Sequence, residues 1–347
     1  MVSALVLNIR ANPCTNRCRH CWAEGSPDHT AKPTAEVKST LEELAAALPL
    51  LEAADFFLLD EPTNRPDFVE IFEYAAGLGL LGPNSFVATN GSGLARAGAD
   101  TWRRLQATGL RYLQFTFYGV GETHDRFAGR RGAFDDVVAA VRGADEAGFP
   151  WYGAVILRPG DAGDVRGTVE YVEKLGAPEK VGYFGYAAQG RGAKGRRPTT
   201  EGEAEKASLE SGTTFASERR LREAILADGE LSQRRVEELF CPPLVLEVDA
   251  GGEVSCGGAC DSGGLAGAVP ELKTLFSLGR LGDKTLAAMI EDYRQDLPAP
   301  LRAVAGVTWG QLAAQYGDPA NEDLFWAADV VISKWARDYL RERYGPR

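Results

Sequence analysis

The residues most able to do chemistry in this chain are its six cysteines, which fall into two groups of three: Cys14, Cys18 and Cys21, then Cys241, Cys256 and Cys260. Nothing in the sequence points to export, and thiols stay reduced in the cytosol, so such groups point to metal rather than disulfides. The first group reads Cys14-Thr15-Asn16-Arg17-Cys18-Arg19-His20-Cys21. Three thiolates so spaced, in one loop after a first strand, can cap three irons of a cubane. An all-cysteine cubane takes four. The missing fourth leaves one iron open, as a catalytic metal requires. The alternative is a zinc knuckle using His20, but His20 adjoins Cys21 and is poorly placed to reach the same ion.

These cysteines need elements to hold them, and the first ~215 residues supply an alternation of strand-like and helix-like signals. Strands are predicted over residues 4–9, 55–59, 85–89, 112–118, 152–157 and 181–186. Helices are predicted over 41–53, 68–80, 101–107, 134–147 and 164–175, the fourth of these closed by Gly148. Six such units predict an α/β domain with a parallel sheet. Residues 189–211 are polar and Gly-rich and read as a loop. A helix is predicted over 216–240, then a compact cysteine-bearing unit over 241–285 with a Gly-rich hairpin at 249–254. The tail, 286–347, reads as helical. The domain expectation is therefore 1–215, 216–240, 241–285 and 286–347.

With its neighbours, the first cysteine group resembles the signature of the radical S-adenosylmethionine (SAM) superfamily: Cys-x3-Cys-x2-Cys with an aromatic residue, His20, before the third cysteine. The resemblance implies a partial (β/α)6 TIM-like barrel, with a [4Fe–4S] cluster on Cys14, Cys18 and Cys21. It implies that SAM chelates the open iron and that one electron cleaves it. The resulting 5′-deoxyadenosyl radical then takes a hydrogen from substrate. A flavodoxin- or ferredoxin-type protein would supply the electron. Leu59-Asp60-Glu61-Pro62 resembles the family's Gly-Gly-Glu-Pro with both glycines replaced, which makes Glu61 and Asp60 candidates for the SAM ammonium. Thr89-Asn90-Gly91 resembles its Thr-Asn-Gly turn and suggests Asn90. Gln114 and Thr116, which share a strand face, are candidates for the SAM ribose and carboxylate. Tyr118 stands where an Asp is usual, and His124 is expected to be structural. Arg158 and Arg191 are further candidates for SAM or substrate.

The second group, with spacing Cys-x9-Gly-x4-Cys from Cys241 to Cys256, resembles the opening half of SPASM and twitch domains. This implies a C-terminal twitch-like auxiliary domain with a second [4Fe–4S] cluster on Cys241, Cys256 and Cys260. The fourth ligand is open between Asp261, Glu253, a distant side chain, water and substrate. The alternative is a zinc site with a carboxylate. If all six cysteines bind iron, no thiol remains to return a hydrogen atom unless Cys260 does so. That favours net oxidation, substrate ligation or sulfur donation at the auxiliary cluster.

Composition narrows the rest. A net charge of −11 argues against a nucleic-acid partner. No apolar run approaches the ~20 residues of a membrane helix, and the N-terminus does not read as a signal peptide, so a cytoplasmic enzyme with no membrane partner is expected. Because no leader-binding domain precedes Cys14, the expected substrate is a small molecule, such as a sugar, nucleoside or aminoglycoside intermediate of natural-product (antibiotic) biosynthesis. The alternative is a peptide maturase that cross-links or epimerises a ribosomal peptide.

Overall fold

A computed structural model describes residues 4–21, 24–82, 85–156, 162–176, 181–184, 215–237, 244–256, 270–326 and 328–345. Arg158, Arg191, Cys241, Cys260 and the loop predicted over 189–211 lie outside them.

Six parallel strands follow one another: β1 (Ala4–Arg10), β2 (Ala53–Leu59), β3 (Phe86–Thr89), β4 (Tyr112–Phe117), β5 (Trp151–Ile156) and β6 (Val181–Phe184). The helices between them are α1 (Thr34–Ala47), α2 (Phe68–Gly77), α3 (Ala99–Ala107), α4 (Glu122–Ala128), α5 (Ala133–Glu146) and α6 (Ala162–Leu175). This is the expected partial barrel. Hydrogen bonding divides it into two arcs, β1–β2 and β3–β4–β5–β6. Along β4, Leu113, Phe115 and Phe117 are buried on the face that packs against helices, while Tyr112, Gln114 and Thr116 are half-buried on the other. That second face carries a row of rings across four strands. Phe57 meets Phe86 at 5.0 Å, Phe86 stacks on Tyr112 at 5.0 Å, and Tyr112 meets Tyr152 at 6.4 Å between centroids.

The helices form where apolar side chains recur on one face. In α1 these are Val37, Leu41, Leu44 and Ala47. This helix starts earlier than the predicted 41–53 and stops earlier. Pro49 follows and cannot extend an α-helix, so a 3₁₀ turn, Leu48–Leu50, hands the chain to β2. In α5, Asp135 and Asp136 lie in the first turn, where the helix dipole favours them. Gly148 closes it as predicted: at φ +65° it lets its own N–H reach Asp145 O and the Phe149 N–H reach Ala144 O, at 3.0 and 2.8 Å.

The cysteine-bearing unit is joined to the barrel sheet. The hairpin of β8 (Leu244–Val248) and β9 (Glu253–Cys256) turns at the predicted glycines, and β10 (Ser277–Arg280) pairs antiparallel with β9. β8 pairs in parallel with β1, Leu5 opposite Leu244 through Ile9 opposite Val248, giving the order β10–β9–β8–β1–β2.

The helix predicted over 216–240 is interrupted. A short strand, β7 (Phe215–Ser217), precedes α7 (Glu218–Ala227). Asp228 then accepts from the N–H groups of Glu230 and Leu231 at 2.9 and 3.0 Å, starting a new helix, α8 (Gly229–Gln233). The tail is helical as expected, through α9 (Leu286–Gln295), α10 (Ala299–Ala305), α11 (Trp309–Tyr316) and α12 (Ala328–Tyr344). It also contains β11 (Leu324–Trp326), paired antiparallel with β7. The carboxylate of Glu218, wholly buried, gathers this region. It accepts from Lys334 Nζ at 2.8 Å, Trp335 Nε1 at 2.7 Å and Asn321 Nδ2 at 2.6 Å. One hydrophobic core runs from Leu5 and Phe115 in the barrel to Leu246 in the hairpin and Trp335 in the last helix.

Candidate active site

The cysteine loop leaves the end of β1 and is fastened from several sides. Asn12 Nδ2 donates to Leu59 O at the end of β2, 2.7 Å, and Cys14 N donates to Ser26 O, 3.0 Å. Arg17 N and Arg19 N donate to the carbonyls of Ala128 and Phe127 at the end of α4, at 2.9 and 3.2 Å. Each sulfur receives a hydrogen-bond donor. Cys14 Sγ accepts from Asn16 N at 3.5 Å and Asn90 Nδ2 at 3.6 Å, Cys21 Sγ from Gly25 N at 3.3 Å, and Cys18 Sγ from Tyr118 Oη at 3.2 Å. Burial first, then the Glu61 charge, push the Cys14 thiol up, and Cys18 and Cys21 add to the shift. The three sulfurs thus share one electrostatic neighbourhood.

Among the described residues, no group of three or more His, Cys, Asp or Glu side chains closes around a single metal ion. A single zinc ion draws its sulfur ligands to about 2.3 Å from one centre, whereas the thiolates of a cubane each take their own iron. Three sulfurs in one loop, each met by a donor, fit the second kind of centre, because hydrogen bonds to ligating sulfurs support and tune it. Of the second cysteine group only Cys256 is described. It is fully buried opposite Leu246, and burial pushes its thiol up to about 12.

The loops after β2 and β3 meet the cysteine loop across the gap between the two arcs. Glu61 is the clasp. Its Oε1 accepts from Thr63 N at 3.2 Å and Thr89 Oγ1 at 2.6 Å, and its Oε2 accepts from Asn90 N at 2.6 Å. Burial nevertheless holds this carboxyl above its ordinary range, with those hydrogen bonds pulling the other way. The approach of the loops depends on Gly93, where a Cβ would lie 1.8 Å from Thr63 O.

Asp60 occupies the second glycine position of the motif. Its φ of +70° lies in the left-handed region that glycine favours and that aspartate tolerates better than most residues. Its side chain is buried, facing Arg10 Nη1 at 3.5 Å and His29 Nδ1 at 3.2 Å. Burial raises the Asp60 carboxyl, opposed by Arg10 and His29. Arg10 also reaches Glu247 of β8 at 3.3 Å, so the barrel loop and the hairpin share one charged group.

Asn90 stands between the cysteine loop and its own turn, donating to Cys14 Sγ and to Thr15 Oγ1 while accepting from Ser92 N. Gln114 and Thr116 share the half-buried face of β4 with Tyr112, as alternation predicted. His124 is buried and its Nδ1 accepts from Tyr118 N at 3.2 Å, a structural role as expected. Asp125 caps α5 through the N–H groups of Gly132 and Phe134.

Several contributors were not singled out in the sequence: Arg10, Asn16, His29, Arg130, whose Nε donates to Asn16 Oδ1 at 2.7 Å, and Lys32, whose Nζ donates to the carbonyls of Asp249 and Ala250 in the hairpin turn. Each acts across a long chain separation, and no local pattern announces it.

The model of the radical SAM superfamily matches residues 9–172, a span running from the end of β1 through the cysteine loop into α6. Those residues form a radical SAM domain. Among relatives, the Fe-coproporphyrin III synthase of Methanosarcina barkeri is 27% identical over 184 residues, 52% of this chain and 43% of that protein. The PqqA peptide cyclase of Methylorubrum populi is 30% identical over 191 residues, 52% of this chain and 46% of that one. The chain thus spans less than half the length of these relatives. Among solved radical SAM structures, Streptococcus suis SuiB bound to S-adenosylmethionine shares the fold with a TM-score of 0.58 at 12% identity, covering 95% of this chain and 77% of that one. Native anSMEcpe with bound AdoMet gives 0.54 at 14% identity, covering 98% and 99%. Among the described residues, no helix is long and apolar enough to cross a membrane.

Proposed function

We propose that this radical SAM protein takes a hydrogen atom from a peptide substrate and carries the resulting radical to an oxidised, cross-linked product. The observation that carries the reading is a shared sheet: the hairpin that ends in Cys256 is bonded in parallel register to the strand that leads into Cys14. Substrate chemistry that uses two iron–sulfur centres would be served by a rigid link between their elements. For the peptide, support comes from the PqqA peptide cyclase, related over the barrel half, and from the shared fold of SuiB bound to its precursor peptide SuiA. The small-molecule expectation rested on where Cys14 falls in the chain, and that position does not discriminate substrates.

When bound at Cys14, Cys18 and Cys21, a [4Fe–4S] cluster supplies the electron that cleaves SAM to the hydrogen-abstracting radical. The chain holds and orients the reactants. Glu61 fixes the β2 and β3 ends that frame the site, and Asn90 reaches the Cys14 sulfur from the second of these. Asp60, Gln114 and Thr116 are the proposed SAM contacts, joined by Arg158 and Arg191. Cys241, Cys256 and Cys260 are the proposed ligands of the auxiliary cluster, as electron acceptor, substrate ligand or sulfur donor. A flavodoxin- or ferredoxin-type protein is the proposed reductant.

A second reading is favoured by two tetrapyrrole-related relatives, the Fe-coproporphyrin III synthase and an AdoMet-dependent heme synthase of the same organism, the latter 30% identical over 168 residues. One experiment separates the two. Anaerobically reconstituted protein is given SAM, dithionite and deuterium-labelled substrates: peptides from short reading frames flanking the gene, or coproporphyrin. Deuterium in 5′-deoxyadenosine from a peptide is the expected result. Transfer from coproporphyrin alone would overturn the peptide reading.

A further inference from the structure

We propose that Tyr118 sets the reduction potential of the first cluster by donating its hydroxyl hydrogen to the sulfur of Cys18. The inference rests on the radical SAM reading of Cys14, Cys18 and Cys21, and it concerns a position where this chain departs from that family's pattern, Tyr in place of Asp.

Tyr118 lies just past the end of β4, 100 residues from Cys18 in sequence, and its Oη is 3.2 Å from Cys18 Sγ. The geometry leaves the ring little freedom. His20, His124 and Phe127 pack around it with centroids at 5.0, 4.9 and 4.9 Å. Its backbone N–H is fixed on His124 Nδ1. The residue is 4% exposed, and Cys18, Phe127, Ala128 and Ile156 share its apolar cluster. A phenol is protonated near neutral pH, so the hydroxyl serves as a donor to the sulfur. Cys14 and Cys21 receive N–H groups, and Cys18 receives this O–H.

Reduction adds one electron from an external one-electron donor and makes the ligated cluster one unit more negative. No bond is made or broken in that step. A hydrogen bond to a ligating sulfur strengthens as the sulfur gains charge, so the donor stabilises the reduced form more than the oxidised form and raises the potential. Low local polarity around the ring enlarges the effect. Tyr118 therefore eases delivery of the electron that SAM cleavage consumes.

The test is a redox titration of the anaerobically reconstituted full chain, followed by EPR of the signal that changes when SAM is added, which distinguishes the first cluster from any other. Tyr118→Phe keeps the ring and removes the donor. At a fixed potential its ratio of reduced to oxidised cluster is expected to fall about tenfold, a midpoint about 59 mV more negative for a one-electron couple. Site-specific replacement of Tyr118 by 3-fluorotyrosine keeps the ring and strengthens the donor, and the midpoint is expected to move the opposite way. Opposite shifts are what a packing role cannot produce. If the fluorinated protein holds its iron and titrates at the wild-type midpoint, the proposal is overturned, whether or not Tyr118→Phe assembles a cluster. If wild-type protein assembles no cluster on the first three cysteines, the underlying reading fails with it.

Discussion

Glu61 spends both carboxylate oxygens on the protein itself, joining Thr63, Thr89 and Asn90 across the gap between β2 and β3. Glu61→Gln puts an amide N–H where an acceptor is needed, and the cluster-free protein is expected to lose roughly 1–3 kcal/mol, the cost of a buried group left unsatisfied. Denaturant unfolding measures this. The pH dependence carries a sign. Burial raises the Glu61 carboxyl above its ordinary 4.5, so its stabilising contribution is complete below that value and is lost as pH rises through the raised, folded-state value. The stability gap between wild type and Glu61→Gln should narrow as pH rises above 4.5. A gap that widens instead would show that the folded protein holds the ionised form. At the same scale, the Cys14/Cys18/Cys21→Ala triple variant is expected to keep about half of the roughly eight irons that two cubanes bring. Iron analysis after anaerobic reconstitution decides it, and zinc in place of the remaining iron would refute the auxiliary cluster.

The element that most shapes the site is the hairpin of β8 and β9. It is held to the barrel by its register with β1, by Arg10 on Glu247, and by Lys32 on the carbonyls of Asp249 and Ala250. Lys32 is the more consequential of the two cations, because its side chain is 3% exposed whereas Arg10 and Glu247 are partly screened by solvent. Lys32→Met removes two charge-assisted hydrogen bonds while retaining the apolar stem. Amide exchange within residues 244–256 is expected to speed up by more than tenfold, with the strands β4 and β5 unchanged. Uniform acceleration across both regions would mean that Lys32 supports the whole fold. The loops after β2 and β3 offer a second element-scale test. Gly93→Ala places a methyl group against Thr63 O, and the resulting shift of the Asn90 turn is expected to weaken SAM binding, read by equilibrium dialysis.

On the scale of the whole molecule, the last helix is tied to α7 through one buried carboxylate. Glu218 meets Lys334, Trp335 and Asn321. Glu218→Ala leaves the buried Trp335 Nε1 without its acceptor, a loss of about 1–3 kcal/mol, while half-exposed Lys334 turns to solvent. Calorimetry should show either a fall of the unfolding temperature or a separate early transition for the C-terminal helices. An unaltered thermogram would show that apolar packing around Trp335 suffices.

The cysteine spacing, the six alternating units, the helix stop at Gly148 and the hairpin glycines were all legible in the sequence, because each is a local rule: ligand spacing, periodicity, a left-handed cap, a tight turn. The ends of helices were less so; the stop at Pro49 and the restart at Asp228 depend on single residues competing with a periodic pattern. Only the tertiary structure decided that β8 lies against β1 and β11 against β7, since strand pairing across more than 100 residues leaves no local trace. It likewise turned Glu61 into a clasp, placed Asp60 in a glycine's conformation under Arg10 and His29, and brought the Tyr118 hydroxyl to Cys18. Those are properties of side chains that meet in space after the backbone has closed, and the energies that select them arise from burial, which a linear sequence does not contain.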